Sequence, residues 1–135
     1  MSLVDAKYAL IDAVVTTLAT IPCARENAPF TKPTDSKWAE LFWIANQPEG
    51  YTLGDTGQDM YTGIVQLDLH YPAGTGDTAA DTDVETFRAV FKAGHAFVHN
   101  YQAITVKNCG APHRRKEDNW FILSVTIGWY ALVPR

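Results

Sequence analysis

Tyr61-Thr62-Gly63-Ile64-Val65-Gln66-Leu67-Asp68-Leu69-His70-Tyr71-Pro72-Ala73-Gly74 is the stretch whose reading decides the fold. Val65, Leu67, Leu69 and Tyr71 alternate with Gln66, Asp68 and His70. In a strand, side chains two apart share a face, so the apolar set lines one side and the polar set the other. Pro72 has no N–H for a ladder bond and should end the strand. The pattern predicts a central strand with one face buried. The polar face is left as a catalytic, channel-lining or solvent-facing surface.

A second strand of the same kind runs over 120–132. Phe121, Leu123, Val125, Ile127 and Trp129 alternate with Ile122, Ser124, Thr126, Gly128 and Tyr130. If the two strands pair, Ser124 and Thr126 approach the polar row. Trp38-Ala39-Glu40-Leu41-Phe42-Trp43-Ile44-Ala45 is dense in aromatic and apolar residues and predicts a further strand, partly covered on both faces. A short strand, Phe97-Val98-His99, is expected next, with a helix running on through His99 as the alternative, then a turn at Asn100-Tyr101 into a strand over 103–107.

Two helices are expected. Ser2 and Asp5 make a capping-box-like start for a helix over 3–19, with Val4, Tyr8, Ile11, Val15 and Leu18 as its buried stripe and Leu3, Leu10 and Val14 widening it. Asp81 and Asp83 suit the first turn of a second helix over 79–93, which carries Val84, Phe87, Val90 and Phe91 and ends at Gly94. Between these elements lie an extended Pro-rich loop over 22–37, a Gly-rich loop over 46–60 and a charged connection over 108–119. The fold class is therefore α+β: a mostly antiparallel sheet of four to five strands with two helices packed on one face, in one domain spanning 1–135.

The totals exclude several functions. Net charge is −4, from 11 basic and 15 acidic residues, which argues against a general nucleic-acid binder, and no specific nucleic-acid binding is expected. No run approaches the roughly 18 apolar residues of a membrane span, and the N-terminus lacks the pattern of a secretory signal. Cys23 and Cys109 form no C-x-x-C pair and read as free thiols. His95 and His99 have zinc-compatible spacing but no third ligand, so no metal is expected. Gly74-Thr75-Gly76 lacks a phosphate-loop signature, and no cofactor is expected. Asp68 and His70 place a carboxylate and an imidazole on one strand face, the one arrangement that could support a small enzyme. No nucleophile completes them at a fixed distance, so no catalytic residue is assigned.

The chain resembles the small tail-terminator and tail-completion proteins of long-tailed bacterial viruses, notably an uncharacterised phage-related family of the same layout. The resemblance rests on Glu26-Asn27-Ala28-Pro29-Phe30-Thr31-Lys32-Pro33, Trp38, Gly54, Gly57 and Gly63. It continues through Gln66 to Gly76, then Ala111-Pro112, Asp118-Asn119-Trp120 and Trp129-Tyr130. It departs after Gly94. The likeness implies a non-enzymatic structural protein of the virion tail, assembled in the bacterial cytoplasm. It implies a homo-oligomer, a ring of six, that caps the major tail tube protein and meets the head-tail connector proteins. A non-ring adaptor is the alternative structural role.

A closed ring needs two different patches on each subunit. The loop over 46–60 offers Tyr51 and Leu53 as apolar anchors, with Gly54 and Gly57 letting the backbone adapt. The basic run Arg114-Arg115-Lys116 offers a second contact, opposite in sign to Asp77, Asp81, Asp83 and Glu85.

Overall fold

A computed structural model describes residues 1–135. Its elements are α1 (Leu3–Leu18), β1 (Cys23–Ala24), β2 (Trp38–Ala45), β3 (Glu49–Gly50), β4 (Gln58–Pro72), α2 (Thr78–Val90), β5 (Ala96–His99), β6 (Gln102–Glu117) and β7 (Trp120–Pro134). The fold is α+β, with one sheet in the order β1-β2-β4-β7-β6-β5 and β3 attached to β4. The expected four to five antiparallel strands become a mixed sheet of 7. The two additions, β1 and β3, are two-residue bridges, too short to leave a period in the sequence. β1 runs parallel to β2 and makes the sheet mixed.

The central strand behaves as its alternation dictates. β4 pairs with β7 without a break from Gln58↔Pro134 to Pro72↔Trp120. Val65, Leu67 and Leu69 lie beside Ile127, Val125 and Leu123, all buried. On the same face, Ala39 and Leu41 of β2 extend the layer. Gly63 sits opposite Trp129, where a Cβ would come within 2.7 Å of the indole. The missing side chain leaves room for Trp129 to stack on Trp43 at 4.4 Å.

Both helices pack on this face. Ser2 caps α1, its hydroxyl accepting the Asp5 N–H at 3.1 Å. The buried side of α1 is Ala6, Ala9, Leu10, Ile11, Val14 and Leu18. Val4, Tyr8 and Val15, expected in the buried stripe, are exposed instead. The helix carries two adjoining apolar stripes. The one with the small residues Ala6 and Ala9 lets the helix axis approach the sheet and wins the core. In α2, Val84 and Phe87, with Phe91 just beyond, are buried as expected. The helix ends at Val90 rather than 93, and Gly94, with φ +89°, donates its N–H to the Val106 carbonyl and starts the path into β5. Tyr71 donates to Asp83 at 2.6 Å and ties α2 to β4, and burial with that bond raises its phenol pKa.

The charged stretch after Lys107 is not a connection. β6 continues to Glu117 and forms a hairpin with β7 through the turn at Asp118-Asn119. Register shifts between Val106 and Asn108 and between Gly110 and His113 break the alternation that would have marked a strand. Pro112 falls within the second irregularity, where a missing N–H is tolerated. The loop over 46–60 is likewise shorter than expected, because β3 and the first residues of β4 pair inside it.

Candidate assembly surfaces

The opposite face of the sheet carries no helix, and its two halves differ. At the end of β4 nearest Pro72, the polar row is buried: Asp68, His70 and Ser124 are 4%, 5% and 5% exposed. The register places Asp68 opposite Ser124 and Gln66 opposite Thr126. Ser124 Oγ donates to Asp68 Oδ1 at 2.7 Å, and Gln66 Nε2 donates to the same oxygen at 3.1 Å. Arg115 reaches Asp68 Oδ2 at 3.4 Å and Ser124 Oγ at 3.2 Å. Glu117 and Asp68 hold the Arg115 guanidinium firmly protonated.

His70 takes no part in that cluster through its side chain. Its Nδ1–H donates to the Asp68 carbonyl at 3.0 Å, and its ring stacks on Trp38 at 3.7 Å with an interplanar angle of 11°. Trp120 meets the pair edge-on, and Phe30 packs against the outer side of Trp38. Burial pushes the His70 pKa down. The Ser124 hydroxyl donates to a carboxylate that Arg115 also holds, rather than to an imidazole, so no Ser-His pair is formed. The arrangement cross-links β4, β7 and β6 and does not form a hydrolytic triad.

The chain's own segment before β2 closes this end. β1 pairs with β2, and Glu26 accepts the Trp43 N–H at 2.8 Å, capping the outer edge of β2. Toward the other end nothing covers the sheet. Phe42, Met60, Ile64 and Leu132 are half-buried, while Ile44 and Tyr130 are exposed. Glu49, opposite Met60, and Lys107 are charged side chains on this half, and Lys107 lies beside a shallow hollow of about 290 Å³ lined by Ile44, Thr62, Ile64 and Gly128.

The loop beyond β3 is ordered by a residue with no local signal in the sequence, Arg135. Its guanidinium donates to the Gln58 carbonyl at 2.7 Å, to Asp59 at 2.7 Å, and to the carbonyls of Thr52 and Gly54. Thr52 Oγ1 accepts the Gln58 N–H from inside the loop. Gly54 has φ +87°, and Gly57 packs where a side chain would strike Thr52 and Arg135. Held this way, the loop presents Tyr51 at 59% and Leu53 at 99% exposure.

The basic segment is used mostly within the chain. Arg114 pairs with Asp81 at 2.5 Å and lies 3.9 Å from Asp77, and Arg115 pairs with Asp68 and Glu117. Asp83 pairs with Lys37, and Glu85 with Arg88. The sign complementarity legible in the sequence is thus satisfied inside one subunit, and Lys116 remains exposed. His95 lies against Phe97, His99 lies near Tyr8 and Asp5, and no group of three or more metal-ligating side chains gathers anywhere. Cys23 and Cys109 are free and half-buried, and burial raises both thiol pKa values, Cys109 to about 11.

The family described as phage tail terminator protein matches residues 5–129. The chain belongs to the phage tail terminator family. A solved structure shares 20% identity with this tail terminator chain at a TM-score of 0.77, covering 98% of this chain and 96% of that one. That likeness establishes the fold. No curated protein matches the chain. Tail terminators are structural components of the phage tail, and membership implies association with other tail or head proteins. No helix is long and apolar enough to cross a membrane.

Proposed function

We propose that this tail terminator is a non-catalytic protein that caps the tail tube of a long-tailed phage as a ring of six copies and forms the junction to the head connector. The observation that carries the reading is the uncovered half of the sheet. It sets Phe42, Ile44, Met60, Ile64, Tyr130 and Leu132 side by side, with Lys107 and Glu49 at its borders, on strands too long and regular to be a mobile edge. A surface of this kind on a soluble chain marks a protein contact.

The loop held by Arg135 adds a second contact. Tyr51 and Leu53 would meet an adjoining protein of the junction, with Gly54 and Gly57 fixing the loop's shape. Arg114 and Arg115 brace β6 from within, leaving Lys116 to face the partner. The buried Asp68 cluster supports a structural role, because its serine meets no imidazole and its histidine is sealed under Trp38.

Negative-stain images and sedimentation of the purified chain test the proposal. Rings of six subunits are expected, and assay of the same preparation for hydrolysis should give no turnover. A chain that stays monomeric at every concentration, or a hydrolase activity lost in an Asp68→Asn/His70→Gln double variant, would contradict it.

A further inference from the structure

The helix side and the bare side of the sheet each leave an apolar surface without a partner, and the two point in opposite directions. On the helix side, α1 buries its Ala6–Leu10–Val14 stripe and turns Val4, Tyr8 and Val15 outward, at 57%, 46% and 39% exposure. On the other side lies the open half of the sheet, with Ile44 at 44% and Tyr130 at 36% exposure. Resting on the ring reading above, we infer that the outward stripe of α1 in one subunit seats on the open sheet half of the next.

Three features of the chain support this occupant over any other. The first is direction. A contact between opposite sides of one subunit is head-to-tail, the kind a closed ring of six requires, whereas a patch that meets itself stops at a dimer. The second is charge. Asp12 lies within one turn of both Tyr8 and Val15 on the helix, and Lys107 borders the hollow between Ile44 and Ile64. Both are exposed, and neither takes part in an ion pair inside the chain. The third is size. At about 1.5 Å per residue the stripe from Val4 to Val15 is roughly 17 Å long. Three strand spacings of about 4.8 Å, from β2 across β4 and β7 to β6, give roughly 14 Å. The hollow that would receive a side chain such as Tyr8 is lined by Ile44, Ile64, Gly128 and Asn108, whose side chain lies over Gly128.

The test uses two variants of the full chain, Val15→Asp on the helix and Ile44→Asp on the sheet. Both positions are already exposed, so each variant should melt with the wild type. Each alone should sediment as a monomer where the wild type sediments as a ring. Mixed in equal amounts they should form a dimer and nothing larger, because one intact helix stripe meets one intact sheet half and the remaining surfaces are both spoiled. Variants that still form rings, or a mixture that stays monomeric while the wild type forms rings, overturn this contact and leave the ring reading standing. A wild type that never assembles overturns both.

Discussion

The two halves of the helix-free face are built from the same pair of strands, β4 and β7, yet one is sealed and the other is open. Near Pro72 the segment from Pro22 to Lys37 folds back. Phe30, Trp38 and Trp120 then cover a polar cluster that includes a buried carboxylate. Near Gln58 Met1 and Tyr101 border the sheet without burying Tyr130, and the half left bare is largely apolar. A polar row buried under aromatic rings and an apolar row facing water invert the usual arrangement of a single-layer sheet. On the ring proposed above, the sealed half serves folding and the open half serves assembly.

The largest effect should come from removing the seal. Trp38→Ala deletes a buried ring and exposes His70, and should cost about 3–5 kcal/mol. Chemical denaturation would show this as a lower midpoint. A variant as stable as the wild type would mean that the sealed half contributes no more than the open one. Asp68→Ala should come next, at about 1–3 kcal/mol, because Ser124 and Gln66 lose their acceptor. A change below a few tenths would place that cluster among surface contacts.

The His70 contribution depends on pH. Burial depresses its pKa in the folded protein below the ordinary value of 6.5, so the unfolded chain binds the proton more readily. The stability gained by keeping His70 neutral is present above pH 6.5 and is lost as pH falls from there toward the depressed folded-state value. Melting followed across that window should show a slope that His70→Gln flattens. An unchanged slope would assign the acid sensitivity to other groups. On the open half, Tyr130→Ala should move stability by no more than about 0.5 kcal/mol while weakening self-association. A large loss of stability there would make the open half part of the core.

Much of this contrast was legible in the sequence. The alternation around Leu67 and Val125 is uninterrupted, so the strands and their faces follow from period alone, and the approach of Ser124 to Asp68 follows once the two strands pair. The burial of Asp68 and His70 did not follow, because it depends on a Pro-rich segment folding back from forty residues away in the chain, about which a local pattern says nothing. The outward face of α1 was misassigned because two apolar stripes adjoin and helical period cannot rank them. β6 was cut short because its bulges disturb the period and its exposed charges look like a loop. Arg135 gave no signal, since its partners lie near Thr52 and Asp59, and only the β4–β7 pairing brings them together.

The central claim concerns the tail itself, and the most direct measurement is electron microscopy of lysates from cells infected in the absence of this protein. The account predicts tails and heads present but unjoined, with intact particles restored when the wild-type chain is supplied. Intact, tailed, infectious particles formed without it would contradict the account.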